Sequence, residues 1–118
     1  MRISRVKTLS PPSRATSVID FPPEDAEVAA GTWGYGWALD DSDIAEVRVA
    51  TELGPATPAF VGGSRPDIPT AHPEYADAAT SGFGFLVPDV PPGRHTLTLT
   101  LVGRDGGERV LTRRVRIR

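Results

Sequence analysis

Side chains able to do chemistry gather at a few places along this chain. Arg65 and Asp67 flank Pro66, and His72, Glu74 and Tyr75 follow in the same proline- and glycine-punctuated segment. A histidine beside a carboxylate is the pairing of a general base and its orienting partner, which would cast His72 as base with Glu74 or Asp67 behind it. A base also needs something to activate. The chain has no nucleophile elbow, and the other histidine, His95, heads an alternating segment where a rim position is expected. Acid–base and nucleophile pairs are missing, so no catalytic residue is assigned and an enzyme is not expected. Arg65 is expected to pin its loop through a carboxylate pair, with Tyr75 packed beneath. Loops on rigid scaffolds carry contacts, so Arg65, Asp67, His72 and Tyr75 are candidates for touching a partner.

Asp40, Asp41 and Asp43 could offer oxygen ligands to calcium, a hard cation that takes carboxylates and carbonyls, with Glu24 or Asp25 added from the adjoining loop. The spacing of a calcium-binding loop and its closing bidentate glutamate are absent. An Asx-stabilised hairpin turn is therefore expected there, and neither a metal nor a cofactor is assigned. Trp33, Tyr35 and Trp37 share one strand parity with Leu39. Exposed, they would form a platform for stacking sugar rings. Buried, they would be the large half of the core against Phe83 and Phe85, and burial is expected because other large core residues are few. Arg113, Arg114, Arg116 and Arg118 make a basic stretch with no interleaved aromatic residue, unlike a single-strand nucleic-acid platform. They are expected to guard an edge strand against sheet-to-sheet pairing. Arg114 and Arg116 are also candidates for a head-to-tail contact with the acidic stretch 20–43 of another copy.

These groups need a frame to hold them. The chain has 118 residues, 12 glycines, 12 prolines, no cysteine and a formal net charge of −2. That length suits one domain with a two-layer core. The charge argues against bulk attraction to nucleic acid, and the missing cysteines exclude a disulfide framework or thiolate zinc site. No apolar run is long enough to span a membrane, and the basic N-terminus lacks the continuous apolar core of a signal peptide. The chain is expected to be soluble, cytoplasmic if independent, and at the cell surface or secreted if part of a larger exported protein.

Residues 1–14 read as a lead-in or linker and 15–118 as the domain. Strands are expected over 15–21, from Trp33 to Leu39, and over 44–52, 57–61, 82–87, 94–102 and 110–118, with an acidic turn region at 24–30. The clearest alternates Leu97, Leu99 and Leu101 with Thr96, Thr98 and Thr100. The aromatic strand and the one after the acidic turn read as a β-hairpin, and Asp105-Gly106-Gly107 closes another. Residues 62–81 form a long irregular segment, functional or folded on itself, with a single helical turn expected near 73–79. About seven short strands with frequent turns indicate an all-β, immunoglobulin-like antiparallel β-sandwich.

The motifs GWALDDSDIAEVRV (36–49), SRPDI (64–68) with PEY (73–75), SGFGF (81–85) and PGRHTLTL (92–99) together resemble bacterial immunoglobulin-like accessory domains. Such domains are commonly appended to larger surface or secreted proteins and to some enzymes. The resemblance, over roughly 18–118, implies a non-catalytic spacer or protein-interaction module whose partner is a protein or the domains of its parent chain. Carbohydrate binding through the aromatic strand is the alternative. The chain is also similar, more weakly, to the immunoglobulin-like dimerisation domain of molybdenum-dependent oxidoreductases. Where that family turns on Asp-Gly-Gly toward a tryptophan, this chain has TELGP at 51–55.

Overall fold

A computed structural model describes residues 16–40, 43–75 and 78–118; the lead-in at 1–14 and Asp41 lie outside them. Nine strands run in chain order: β1 Thr16–Phe21, β2 Ala26–Val28, β3 Trp33–Leu39, β4 Ile44–Ala50, β5 Thr57–Pro58, β6 Phe60–Gly63, β7 Gly82–Leu86, β8 Gly93–Gly103 and β9 Glu108–Ile117. They form an all-β sandwich of two sheets, ordered β1-β3-β7-β6 and β2-β9-β8-β4-β5. A short helix, α1 (Ile68–Ala71), and a 3₁₀ turn (Ala78–Thr80) sit in the long segment between β6 and β7. Among the described residues, no helix is long and apolar enough to cross a membrane.

The alternation in β8 sets the core. Leu97, Leu99 and Leu101 point inward with almost no exposure and meet Val47 and Val49 of β4 and Val115 and Ile117 of β9. Ile19, Ala38, Phe83 and Phe85 close the core from the other sheet. Each leucine so buried contributes about 1.5–3 kcal/mol relative to exposure. The β8–β9 hairpin holds an unbroken register from Gly93↔Ile117 to Val102↔Glu108. Its turn is tied by hydrogen bonds from Gly106 N to Gly103 O and from Gly103 N to Gly107 O, both 2.9 Å.

Several expectations change. The aromatic strand and its successor do not pair. β3 lies between β1 and β7, while β4 lies between β8 and β5, so the acidic turn carries the chain from one sheet to the other. Alternation reveals that a segment is a strand and leaves its partner open. The expected strand 57–61 is two strands, one in each sheet, broken at Ala59. The acidic turn region holds a further strand, β2, which pairs parallel with β9 from Ala26↔Val115 to Val28↔Ile117. β9 is therefore interior over Val115–Ile117, and Arg116 guards no edge there. Helical structure comes in two pieces rather than the expected single turn near 73–79: a helix before it at 68–71 and a 3₁₀ turn at 78–80 that overlaps its end.

The aromatic strand is also turned over. Its inward face carries Gly34, Gly36 and Ala38, and the rings of Phe85 and Phe83 from β7 lean across the two glycines. A Cβ on Gly34 would fall 2.4 Å from the Phe85 ring, and one on Gly36 only 2.1 Å from the Val18 carbonyl oxygen. Trp33 and Tyr35 thus point outward and stay 46% exposed each. Trp37 and Leu39 share that outward face yet are buried, because Ile68 of α1, Ala78 and Tyr75 fold down over them as a second, smaller core.

Candidate functional site

The outer face of the four-stranded sheet carries a row of aromatic rings. In register, Phe21 of β1 pairs with Tyr35, Tyr35 with Gly84, and Gly84 with Phe60 of β6. Directly paired residues share a face, so the row crosses four strands, about 14 Å at ordinary strand spacing. Phe21 joins it through a register shift between Ile19 and Phe21, which leaves Ile19 in the core and turns the next paired residue outward. Arg113 crosses from β9 to donate a 2.9 Å hydrogen bond to the Ile19 carbonyl at that shift. Gly84 leaves a gap in the row, and the Trp33 indole fills it: a Cβ there would sit 2.3 Å from the ring.

The rings support one another. Phe21 stacks on Tyr35 with centroids 6.0 Å apart and planes 15° apart. Trp33 meets Phe60 at 5.5 Å and 43°. Phe60 is 67% exposed, so the row is open at Tyr35, Trp33 and Phe60, while Phe21 is half-buried and also packs against the core. A shallow groove of about 340 Å³ follows Trp33, Tyr35 and Phe60 to Ser64 and Arg65.

A polar belt runs beside the rings. Arg65 lays its aliphatic stem across Gly82 and extends its guanidinium to two carboxylates. It donates to Asp67 through Nε at 3.1 Å and the terminal nitrogen at 2.8 Å, and to Asp20 of β1 at 2.7 Å. These bonds hold the Asp67 carboxyl below its ordinary range and push the guanidinium higher still. Arg65 thus pins the long loop as expected, and Tyr75 packs beneath it. His72 sits on the Trp37 ring, with centroids 5.1 Å apart, and its nearest carboxylate, Glu74, is 3.6 Å away. Asp67 is committed to Arg65, so the three do not assemble as a base and its relay.

The other candidates fall elsewhere. Asp43 donates its backbone N–H to Asp40 O at 3.0 Å, and its carbonyl accepts from Arg104 N near the β8–β9 turn. Glu24 and Asp25 are remote from that turn in the ladder and attend Arg114 instead. Glu24 accepts from Arg114 Nε at 2.8 Å and from Arg114 N at 2.9 Å. Among the described residues, no group of three His, Cys, Asp or Glu side chains could hold a metal ion. Arg114 is therefore paired within the chain, whereas Arg116 stands opposite Arg94 across the β8–β9 ladder.

His95 is no rim residue. It is buried in β8, with Nδ1 at 2.5 Å from Glu52 Oε2 and Nε2 at 2.7 Å from the Pro91 carbonyl oxygen. Both neighbours accept, so the ring donates twice as an imidazolium. Its pKa rises for that reason, first through the Glu52 bond. Glu52 also accepts from the free Thr96 N–H at 3.0 Å, and its pKa drops to about 2. Sequence gave little warning of this pair, since 43 residues separate the partners.

No family model matches this chain, and no curated protein matches it significantly in sequence. Its fold is shared with solved structures. The endo-β-1,4-mannanase of Thermotoga petrophila superposes on 94% of this chain with a TM-score of 0.65 and 13% identity, using 21% of its own chain. An engineered protein matches 92% of this chain at a TM-score of 0.60 and 15% identity, again over 21% of its length. Dimeric latent PorU from Porphyromonas gingivalis matches 87% at 0.59 and 10% identity, over 10% of its length. This chain therefore spans about a fifth or less of those proteins. At such identities the likeness is one of fold: an all-β sandwich module.

Proposed function

We propose that this chain is a non-catalytic, immunoglobulin-like accessory module that holds a glycan on the aromatic face of its four-stranded sheet. The observation that carries this is the row Phe21–Tyr35–Trp33–Phe60, open at Tyr35, Trp33 and Phe60. Pyranose rings present flat C–H faces that stack on aromatic side chains, and hydroxyls at their edges that bond to planar polar groups. The row's length suits about two to three pyranose rings at strand spacing. Ser64, Asp20 and the Arg65–Asp67 fork lie where those hydroxyls would reach. A purely apolar partner would leave that belt unused.

The connectivity supports the immunoglobulin-like part. One sheet holds the first, second, fifth and fourth principal strands and the other holds the last, sixth and third, as in that fold. His95, near the start of the sixth, bonds back to the Pro91 carbonyl four residues upstream, where the fold commonly uses a tyrosine. The non-catalytic part of the reading is supported by commitments already described: His72 lies on Trp37, and His95 is locked between Glu52 and Pro91.

The similarity to part of a mannanase chain guides the first choice of probe, a soluble β-1,4-mannan. In affinity electrophoresis the native chain should be retarded by a matched polysaccharide, and Trp33→Ala combined with Phe60→Ala should migrate as in a blank gel. Equal mobility of the native chain in every polysaccharide gel would remove the glycan and leave a spacer.

A further inference from the structure

A cavity of about 730 Å³ lies away from the aromatic face, on the sheet built around β8 and β9. Asp25, Glu52, Arg94, His95, Thr96, Arg114 and Arg116 contribute to its walls. Most of these charges cancel locally. His95 is matched by Glu52, and Arg114 by Glu24 with Asp25 at 3.9 Å. Arg94 and Arg116 remain. They are direct cross-strand partners, both exposed, and neither makes an ion pair or side-chain hydrogen bond among the described residues. Glu27 stands beside Arg116 in the β2–β9 register without pairing to it.

Like charges placed opposite one another on a sheet are unfavourable unless something lies between them. Two guanidinium forks offer more parallel N–H donors than one carboxylate can accept, and they carry two charges. A tetrahedral oxyanion with two negative charges matches both counts. Asp25 and Glu52 stand on the same walls and leave room for one small anionic group rather than an extended polyanion. The volume far exceeds an inorganic anion alone, so the group should arrive attached to a body.

We propose that Arg94 and Arg116 form a binding site for the phosphate group of a small monoester, seated in this cavity. The site is independent of the aromatic row, which lies on the other sheet.

The test is a titration of the full chain with glucose 6-phosphate and, separately, inorganic phosphate, followed by the arginine Nε–Hε resonances in NMR. The Arg94 and Arg116 signals should shift saturably, with Arg48 and Arg104 still, and the ester should bind more tightly than the inorganic ion. Arg94→Gln and Arg116→Gln should each weaken binding about tenfold or more, while Glu27→Gln should strengthen it. In anion-free buffer, Arg94→Gln should melt no lower than the native chain, because it relieves the like-charge opposition. Equal affinity for ester and inorganic phosphate would overturn the monoester. Shifts that grow linearly and alike at all exposed arginines would overturn the site.

Discussion

At the scale of single residues, His95 and Gly36 carry the clearest consequences. His95 and Glu52 tie the turn after β4 to the start of β8; the Glu52 bond leads the rise at His95, while Glu52 is lowered first by the Thr96 N–H and next by His95. His95 is raised above its ordinary 6.5, so its contribution is complete below that pH and is lost as pH rises through the folded value. Glu52 falls from 4.5 to about 2, so its contribution is complete above 4.5 and is lost as pH falls toward 2. The pair is worth most between those ordinary values. Glu52→Gln, which keeps an acceptor for Thr96 N, should lower the urea midpoint most in that window. The gap to the native chain should narrow in more alkaline and more acid buffer. A gap constant across pH would mean that the imidazolium is not the partner that matters. Gly36→Ala should cost about 3 kcal/mol by the same measurement, at the upper end for overpacking. Its new methyl meets a backbone carbonyl at 2.1 Å that cannot swing aside.

At the scale of elements, the segment between β6 and β7 is a folded cover. Trp37 and Leu39 lie under Ile68, Ala78 and Tyr75, and backbone bonds from Arg65 N to Ala79 O and Ala38 N to Ser81 O fasten it. Ile68→Ala should cost about 2–5 kcal/mol locally. Hydrogen exchange should speed up at Arg65 and Ser81 and leave β8 and β9 protected; loss of protection in β8 as well would mean that the two cores unfold together. The strength of alternation decided what was legible in the letters. β8 and β9 were readable because Leu97, Leu99 and Leu101 share one parity, as do Leu111, Val115 and Ile117, along strands of eleven and ten residues. β2 was not, since three residues hold no period. β3 was legible as a strand but read with its faces exchanged. Large residues at one parity and glycines at the other suggest that the large side is buried. Here the aromatic rings of β7 cover the glycines of β3 inside, and Trp33 covers Gly84 of β7 outside. That exchange depends on which strand lies alongside, a fact no single segment contains. The same exchange turned an expected core into the candidate site.

At the scale of the whole molecule, the aromatic row and the arginine pair lie on opposite sheets, so a ligand on one face leaves the other free. An exposed aromatic face could also be covered by a second copy. Sedimentation velocity over a hundredfold range of concentration is expected to give a monomer throughout; a dimer abolished by Phe60→Ala would assign the face to self-association instead. The central claim is that the row binds a glycan, and Trp33 reports on it directly because Trp37, the only other tryptophan, is buried at 9% exposure. The decisive measurement is tryptophan fluorescence during titration with β-1,4-linked mannan and glucan oligosaccharides, in the native chain and in Trp33→Phe. Saturable change with at least one oligosaccharide, lost in Trp33→Phe, is the predicted result. A flat trace with every oligosaccharide, at concentrations where the chain stays folded and monomeric, would contradict it.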